Sequence, residues 1–378
     1  MIFLDASSTT KPYNEVIDIM SDIQRNYWYN PSATYSAAHD VMTLIENVRK
    51  QIAEDINCAS DEVIFTASAC ESNSLAISGF IKKHNAIFIT SKLEHTSIKC
   101  ITEYDKNFYD FVDNNEVGII SLSSLDSLLS RKGIENKNIL VSISFANSEI
   151  GTIEDIKSIA EIVHKYGGIL HVDATQYLPW YKVDVQNLHI DMMSFSAQKF
   201  HGPRGAGVLF IKSGIEIDPI IFGSQENYLR GSTYNTAAIV GMSKALELTR
   251  KYNKMGMVDQ TRALRDELLG KLLTIPDTHL NGPEPGPNRL VNNISLTVDG
   301  VNAEALTAMC DTYGFMIAKG SACQSYEQVP SKTLTAIGLT PEQARSTVRI
   351  TLSRSNTRKE IEDFCEIFPK IIDRLRQI

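Results

Sequence analysis

Short apolar runs recur along the chain between residues 62 and 211. EVIFT (62–66), AIFIT (86–90), ILVSISF (139–145), ILHV (169–172), DMMSF (191–195) and GVLFI (207–211) read as strands. Runs this short and this continuously apolar suit strands buried on both faces. The stretches between them carry helical periodicity. The clearest is Ile153, Ile156, Ile159, Ile162 and Val163, one apolar stripe with a period near 3.6. Tyr166-Gly167-Gly168 closes it, because glycine supplies the left-handed residue that ends a helix. Strands alternating with helices predict an α/β fold with a mostly parallel, doubly wound sheet. Ligands of such sheets lie beyond the carboxyl ends of the strands.

The pattern changes further on. Two long helical stretches, about 234–253 and 257–274, lead to NGPEPGPNR (281–289), a Pro- and Gly-rich ordered turn region. VNNISLT, a helix from about Asn302, a short apolar run, VRITL and a last helix then read as a smaller α+β domain. The chain has 378 residues, more than one core usually holds. A large domain is placed at 14–254, and a small one is formed by 1–13 with 255–378. No internal repeat or low-complexity tract interrupts them.

Charge narrows the range of partners. With 37 Lys and Arg against 45 Asp and Glu, the formal charge is −8, which disfavours general nucleic-acid binding. No apolar run approaches the length of a membrane span, and MIFLDASSTT lacks the basic leader and long apolar stretch of a signal peptide. Six scattered cysteines without a CxxC pair argue against a disulfide scaffold or a zinc site, and for a reducing cytoplasm. Most of them are expected to be small buried residues. His39, His84, His164, His189 and His201 are read as structural or surface histidines.

Six segments could carry chemistry. In HVDATQ (171–176), Asp173 ends a strand, where a carboxylate could keep a pyridinium nitrogen protonated or merely cap a loop. In SFSAQKFHGPRGAG (194–207), Lys199 follows a strand and precedes a glycine-rich turn; it could form a Schiff base or be a solvated loop lysine. The two lie 26 residues apart, one strand-to-strand step, so they can meet at one sheet edge. TASACESNS (66–74) runs from a strand into a helix start whose free N–H groups could hold a phosphate. In FANSEIG (145–151), Asn147 could bind a ligand or serve the turn. Cys323, in AKGSACQSYEQVPSK (318–332), sits in a small, polar, loop-like stretch suited to an accessible nucleophilic thiol. Arg349, in STVRITLSR (346–354), could clamp an α-carboxylate or pair at the surface.

Together with FLDASSTT (3–10), NPSATYS (30–36), LEH (93–95), RGST (230–233) and GSAC (320–323), in this order, the segments resemble the class V aminotransferase group of fold-type I pyridoxal-phosphate enzymes. Within that group the chain resembles the cysteine desulfurases with a long, mobile cysteine loop. The resemblance spans nearly the whole chain. It implies a seven-stranded large-domain sheet and a smaller C-terminal α+β domain.

The resemblance also implies a set of roles. Lys199 would be the Schiff-base lysine. Asp173 would meet the pyridine nitrogen and Gln176 the ring's 3-oxygen. His95 would stack on the ring and help move protons. Ala69, Cys70, Ser196 and Gln198 would line the phosphate cup, and Thr233 would reach the phosphate of a partner subunit in a homodimer. Asn147 and Arg349 would hold the substrate carboxylate. L-Cysteine would become L-alanine, leaving a persulfide on Cys323 for an acceptor protein in iron–sulfur assembly, tRNA thiolation or DNA phosphorothioation. A selenocysteine lyase or an aminotransferase of the same group is the alternative; an aminotransferase does not need Cys323. A partner-binding scaffold with a decayed site would not be expected to keep Lys199, Asp173, His95, Cys323 and Arg349 together.

Three positions depart from the group's pattern. Cys70 stands where threonine is usual, Gln198 where histidine is usual, and the turn before the Gln-Glu pair reads Gly223-Ser224-Gln225-Glu226. A thiol is a weaker phosphate partner than a hydroxyl, and glutamine cannot titrate. The purified protein is therefore predicted to lose cofactor during dialysis faster than a typical member of the group. Equal retention, followed by visible absorbance, contradicts that.

Overall fold

The computed structural model describes residues 1–105, 107–131, 137–320 and 330–377. In chain order the strands are β1 (Ile2–Phe3), β2 (Val63–Thr66), β3 (Ile87–Ser91), β4 (Phe108–Val112), β5 (Ile139–Ser144), β6 (Ile169–Asp173), β7 (Met192–Ser196), β8 (Gly207–Ile211), β9 (Thr278–Leu280), β10 (Asn293–Val298), β11 (Phe315–Met316), β12 (Ala318–Lys319) and β13 (Thr347–Thr351). The helices are α1 (Asn14–Asn26), α2 (Ser36–Ile56), α3 (Ala69–His84), α4 (Thr96–Tyr104), α5 (Leu122–Leu129), α6 (Ile156–Lys165), α7 (Thr236–Lys254), α8 (Met257–Leu272), α9 (Ala303–Thr312), α10 (Lys332–Ala336), α11 (Pro341–Arg345) and α12 (Arg358–Arg376).

Seven strands form the large sheet in the order β2-β8-β7-β6-β5-β3-β4. The pairs β7–β6, β6–β5, β5–β3 and β3–β4 are parallel, and β8 is antiparallel to both its neighbours. The period-two alternation of strand side chains divides the apolar residues between two layers. Phe65, Val141, Val172, Phe195 and Phe210 join one core with α1, α2, α6 and α7. Ile64, Phe88, Leu140, Met192 and Leu209 join another with α3 and α4. Burial on both faces explains why these strands read as continuous apolar runs.

Two details differ from the sequence reading. β4 was not among the six runs recognised as strands. It is one of the two edge strands and, unlike β2 at the other edge, mostly half-buried, so FYDFV carries no unbroken apolar signal. Ile153 lies outside the helix that its stripe implied. It bridges to Ala146, and Asp155 caps α6 by accepting the Ser158 N–H. The stop was read in the right place: Gly167 has φ +69° and the Gly168 N–H closes onto the Val163 carbonyl.

A four-stranded sheet, β12-β13-β10-β9, packs Ile294, Leu296, Val348 and Ile350 against Phe364, Phe368 and Ile372 of α12. Leu4 belongs to this core, and β1 pairs with β11, so the chain's first residues lie with its last third. Residues 281–289 form a turn region, as anticipated. The cysteines correct an expectation. Among the described residues only Cys310 is buried, whereas Cys70 and Cys100 are exposed, on the first turn of α3 and on α4.

Candidate active site

β2 and β7 both run antiparallel to β8, so they run parallel to each other. Hence β2, β3, β5, β6 and β7 all end on one edge of the sheet. The segments that follow them line a cavity of about 340 Å³. Ala69, Cys70, His95, Asn147, Asp173, Gln176, Ser196, Gln198, Lys199 and Arg349 are all in its wall. Thr233 is exposed and is not. Cys323 lies outside the described residues. His201 is buried but elsewhere, stacked on Tyr13 with Nδ1 against the Lys11 carbonyl.

Asp173 closes β6. One carboxylate oxygen accepts from Asn73 Nδ2 at 2.8 Å and the other from the Thr175 N–H at 3.0 Å. One strand over, Lys199 sits in a short turn after β7. Its Nζ donates to the carbonyls of Ser7 and Ser8 at 2.7 and 2.6 Å. The N-terminal strap is thus part of the site. Gln176 Nε2 donates to the same Ser7 carbonyl, and the Thr10 N–H donates to the Gln198 carbonyl, each at 2.9 Å.

The start of α3 forms the end wall. Ser68 caps it by accepting the Glu71 N–H, and the Glu71 carboxylate returns to the Ala67 N–H. First-turn N–H groups point out of a helix and carry partial positive charge. Here Ser68, Ala69 and Cys70 turn that end onto the cavity. Arg230 of the RGST segment pairs with Glu71 at 2.7 Å and holds the turn from outside. Gly207 leaves room for it: a Cβ there would meet the Ser68 backbone carbon at 2.6 Å.

The opposite wall comes from β13, β5 and α4. Arg349 is buried, with Nη2 on Asp5 at 2.7 Å, Nη1 on the Ser148 carbonyl at 3.3 Å and Nε without a hydrogen-bond partner among the described residues. Asn147 serves its turn: Nδ2 donates to the Leu93 carbonyl, and Oδ1 accepts from the N–H groups of Glu149 and Ile150. One amide hydrogen is left over. His95 caps α4, and burial holds its pKa below the usual histidine value. Beside it Glu94 accepts from Ser91 and Ser144, and burial raises its pKa to about 7. Lys99 and Glu149 also line the cavity, each shifted toward its neutral form by burial.

Sequence reasoning missed Ser7, Ser8, Asn73, Ser97, Glu94, Lys99 and Glu149. Only Asn73 left a usable signal: it stands four residues after Ala69, and so on the same face of α3.

The wall suits pyridoxal 5′-phosphate. A helix start for the dianion and a carboxylate for the ring nitrogen lie across one cavity of adequate size, with a lysine within the same wall. Arg349 Nε and Thr175 Oγ1, both buried without a hydrogen-bond partner among the described residues, are polar atoms such an occupied site would use. This arrangement at the strand ends of a doubly wound sheet defines a fold-type I pyridoxal-phosphate enzyme.

Comparison with known proteins narrows the class. Residues 2–364 match the aminotransferase class-V family. The cysteine desulfurase IscS of Clostridium botulinum (strain Hall) is 35% identical, the match covering 100% of this chain and 96% of that protein. A NifS-like protein from Rickettsia africae is 30% identical with a TM-score of 0.90, covering 99% of each chain. A structure described as SspA in complex with cysteine is 28% identical with a TM-score of 0.79, covering 94% of this chain and all of that one. The chain belongs to the aminotransferase class-V family, and within it is a pyridoxal-phosphate-dependent cysteine desulfurase.

The packing of Gly207 under Ser68 makes a prediction. Gly207→Ala should displace the α3 start, destabilise the protein by about 1–3 kcal/mol as overpacking does, and weaken cofactor binding about tenfold or more. Absorbance titration with the cofactor checks this; unchanged affinity contradicts it.

Proposed function

We propose that Cys323 receives the sulfur of L-cysteine as a persulfide and passes it to an acceptor protein. The observation that carries this reading is where Gly320 and Ser331, described residues that precede and follow Cys323 in sequence, are held. The Gly320 N–H donates to the Thr347 carbonyl, two residues from Arg349. Ser331 Oγ donates to Glu149 in the cavity wall. The structurally similar SspA, described in complex with cysteine, supports the substrate.

When bound, the cofactor supplies an electron sink for the substrate's α-carbon. The chain's own residues do the rest. In this reading Asp173 would pair with the ring nitrogen and keep it protonated, Ala69, Cys70, Ser196 and Gln198 would hold the phosphate, and Gln176 would contact the 3-oxygen. Lys199 holds the cofactor and then moves the α-proton. Arg349, through Nε, and the spare Asn147 amide hydrogen bind the substrate carboxylate. His95, in the cavity wall, would stack on the ring and donate or relay protons. The Cys323 thiolate attacks the substrate sulfur: an S–S bond forms, the C–S bond breaks, and the bonding pair returns to carbon. Proton return yields L-alanine, so one L-cysteine and one thiol give one alanine and one persulfide.

A homodimer completes the phosphate cup in this reading. Exposed Ile220, Ile221, Phe222 and Tyr228 flank the segment that bears Thr233, an apolar patch suited to a second copy. Residues 14–254 form the cofactor domain, and 1–13 with 255–378 the smaller one; the two separate cores support that division. Among the described residues no helix is long and apolar enough to cross a membrane. The free thiols support a reducing cytoplasm. The net charge of −8 points to a protein acceptor rather than direct contact with nucleic acid. Iron–sulfur assembly, tRNA thiolation and DNA phosphorothioation are distinguished by which acceptor co-purifies.

Cys323→Ser is expected to keep cofactor absorbance and to lower alanine and sulfide release from L-cysteine plus a thiol by about 100-fold or more, as loss of a nucleophile does. Intact release contradicts the relay.

A further inference from the structure

We propose that Asn73 and Ser97 are positioning residues that lock His95 in its Nε2–H tautomer, through one chain of hydrogen bonds anchored on Asp173. This deepens the reading of His95 as the group that lies against the ring and moves protons, and it rests on that reading for its catalytic meaning.

The chain runs from β6 through α3 to the start of α4. Asn73, fully buried, donates one amide hydrogen to Asp173 at 2.8 Å and the other to Ser97 Oγ at 3.0 Å. Ser97 Oγ lies 2.8 Å from His95 Nδ1, and the Ser97 N–H donates to the same nitrogen at 3.2 Å. The directions follow from the groups that can only accept or only donate. An ionised carboxylate only accepts, so the Asn73 amide must present its nitrogen to Asp173, and Ser97 Oγ receives the second amide hydrogen. The reversed amide would set oxygen against oxygen. The Ser97 N–H can only donate, so Nδ1 is an acceptor, and the Ser97 hydroxyl hydrogen is directed to it as well. Nδ1 therefore faces two donors and holds its lone pair. The proton of the neutral ring sits on Nε2.

Two consequences follow. His95 meets whatever lies against Nε2 as a hydrogen-bond donor. Protonating Nδ1 requires the Ser97 hydroxyl to turn away and the backbone contact to be given up, which holds the imidazolium back. The charged groups around the ring act alongside this. Asp173 on β6 favours the imidazolium, whereas Lys199 after β7, Lys99 on α4 and Arg349 on β13 oppose it; burial is the largest influence and also opposes it. Asn73 thereby couples the carboxylate that serves the cofactor ring to the histidine that faces it.

The test uses the full-length holoenzyme labelled with 15N-histidine. His95→Gln identifies the His95 signals among the eight histidines. The expected spectrum shows an unprotonated Nδ1 and a protonated Nε2 at neutral pH. A proton on Nδ1 overturns the proposal without need of any positioning variant. Ser97→Ala should move the His95 titration, and with it the acid limb of the kcat/KM profile, up by about one pH unit, because a donor to the neutral form is lost. Asn73→Ala should move both the same way, and Ser97→Thr should restore the wild-type values. A titration unmoved in Ser97→Ala overturns the proposal. Turnover of His95→Gln is measured separately: full activity there removes His95 from the reaction, while the tautomer is still decided by the spectrum.

Discussion

A buried negative charge at the end of β6 organises the site. Asp173 is almost excluded from water, and a carboxylate in that position persists as an anion only with donors around it. Thr175 and Asn73 supply them from the loop beyond the strand and from α3. In the proposed reading a protonated ring nitrogen would complete the set, and the same charge would orient the Asn73 amide and, through it, Ser97 and His95.

The sheet puts this charge where it can act. Parallel strands gather their carboxyl ends on one edge, and the reversal at β8 brings β2 back to the same edge. The start of α3 thus faces the cavity with its partial positive end, opposite the anion on β6. Lys199 is one strand from Asp173, and the N-terminal strap lies across it with the Ser7 and Ser8 carbonyls. Arg349 reaches the cavity from the other sheet and is steadied by Asp5 of the same strap. The strap therefore links Lys199 to Arg349.

What could be read from the sequence depended on how local each signal was. The central strands are buried on both faces and announce themselves as apolar runs; β4, at the edge, does not. Asp173 and Lys199 stand out because each follows such a run. Asn73 shows in the sequence only as a residue on the Ala69 face of α3 and Ser97 not at all; their contacts across 100 and 24 residues appear in the fold alone. The lysine's partners, Ser7 and Ser8, lie more than 190 residues away. Asn147 was legible as a candidate, but its bonds to Leu93, Glu149 and Ile150 show how much of its amide the turn employs.

Asp173 and Lys199, one strand step apart in the same cavity wall, stand at the centre of the site. Borohydride reduction of the cofactor-loaded enzyme, followed by peptide mass spectrometry, tests it most directly. The cofactor's mass is expected on the peptide that contains Lys199, and on no peptide of Lys199→Ala. Cofactor fixed to another cavity lysine such as Lys99, or to no lysine at all, would contradict it.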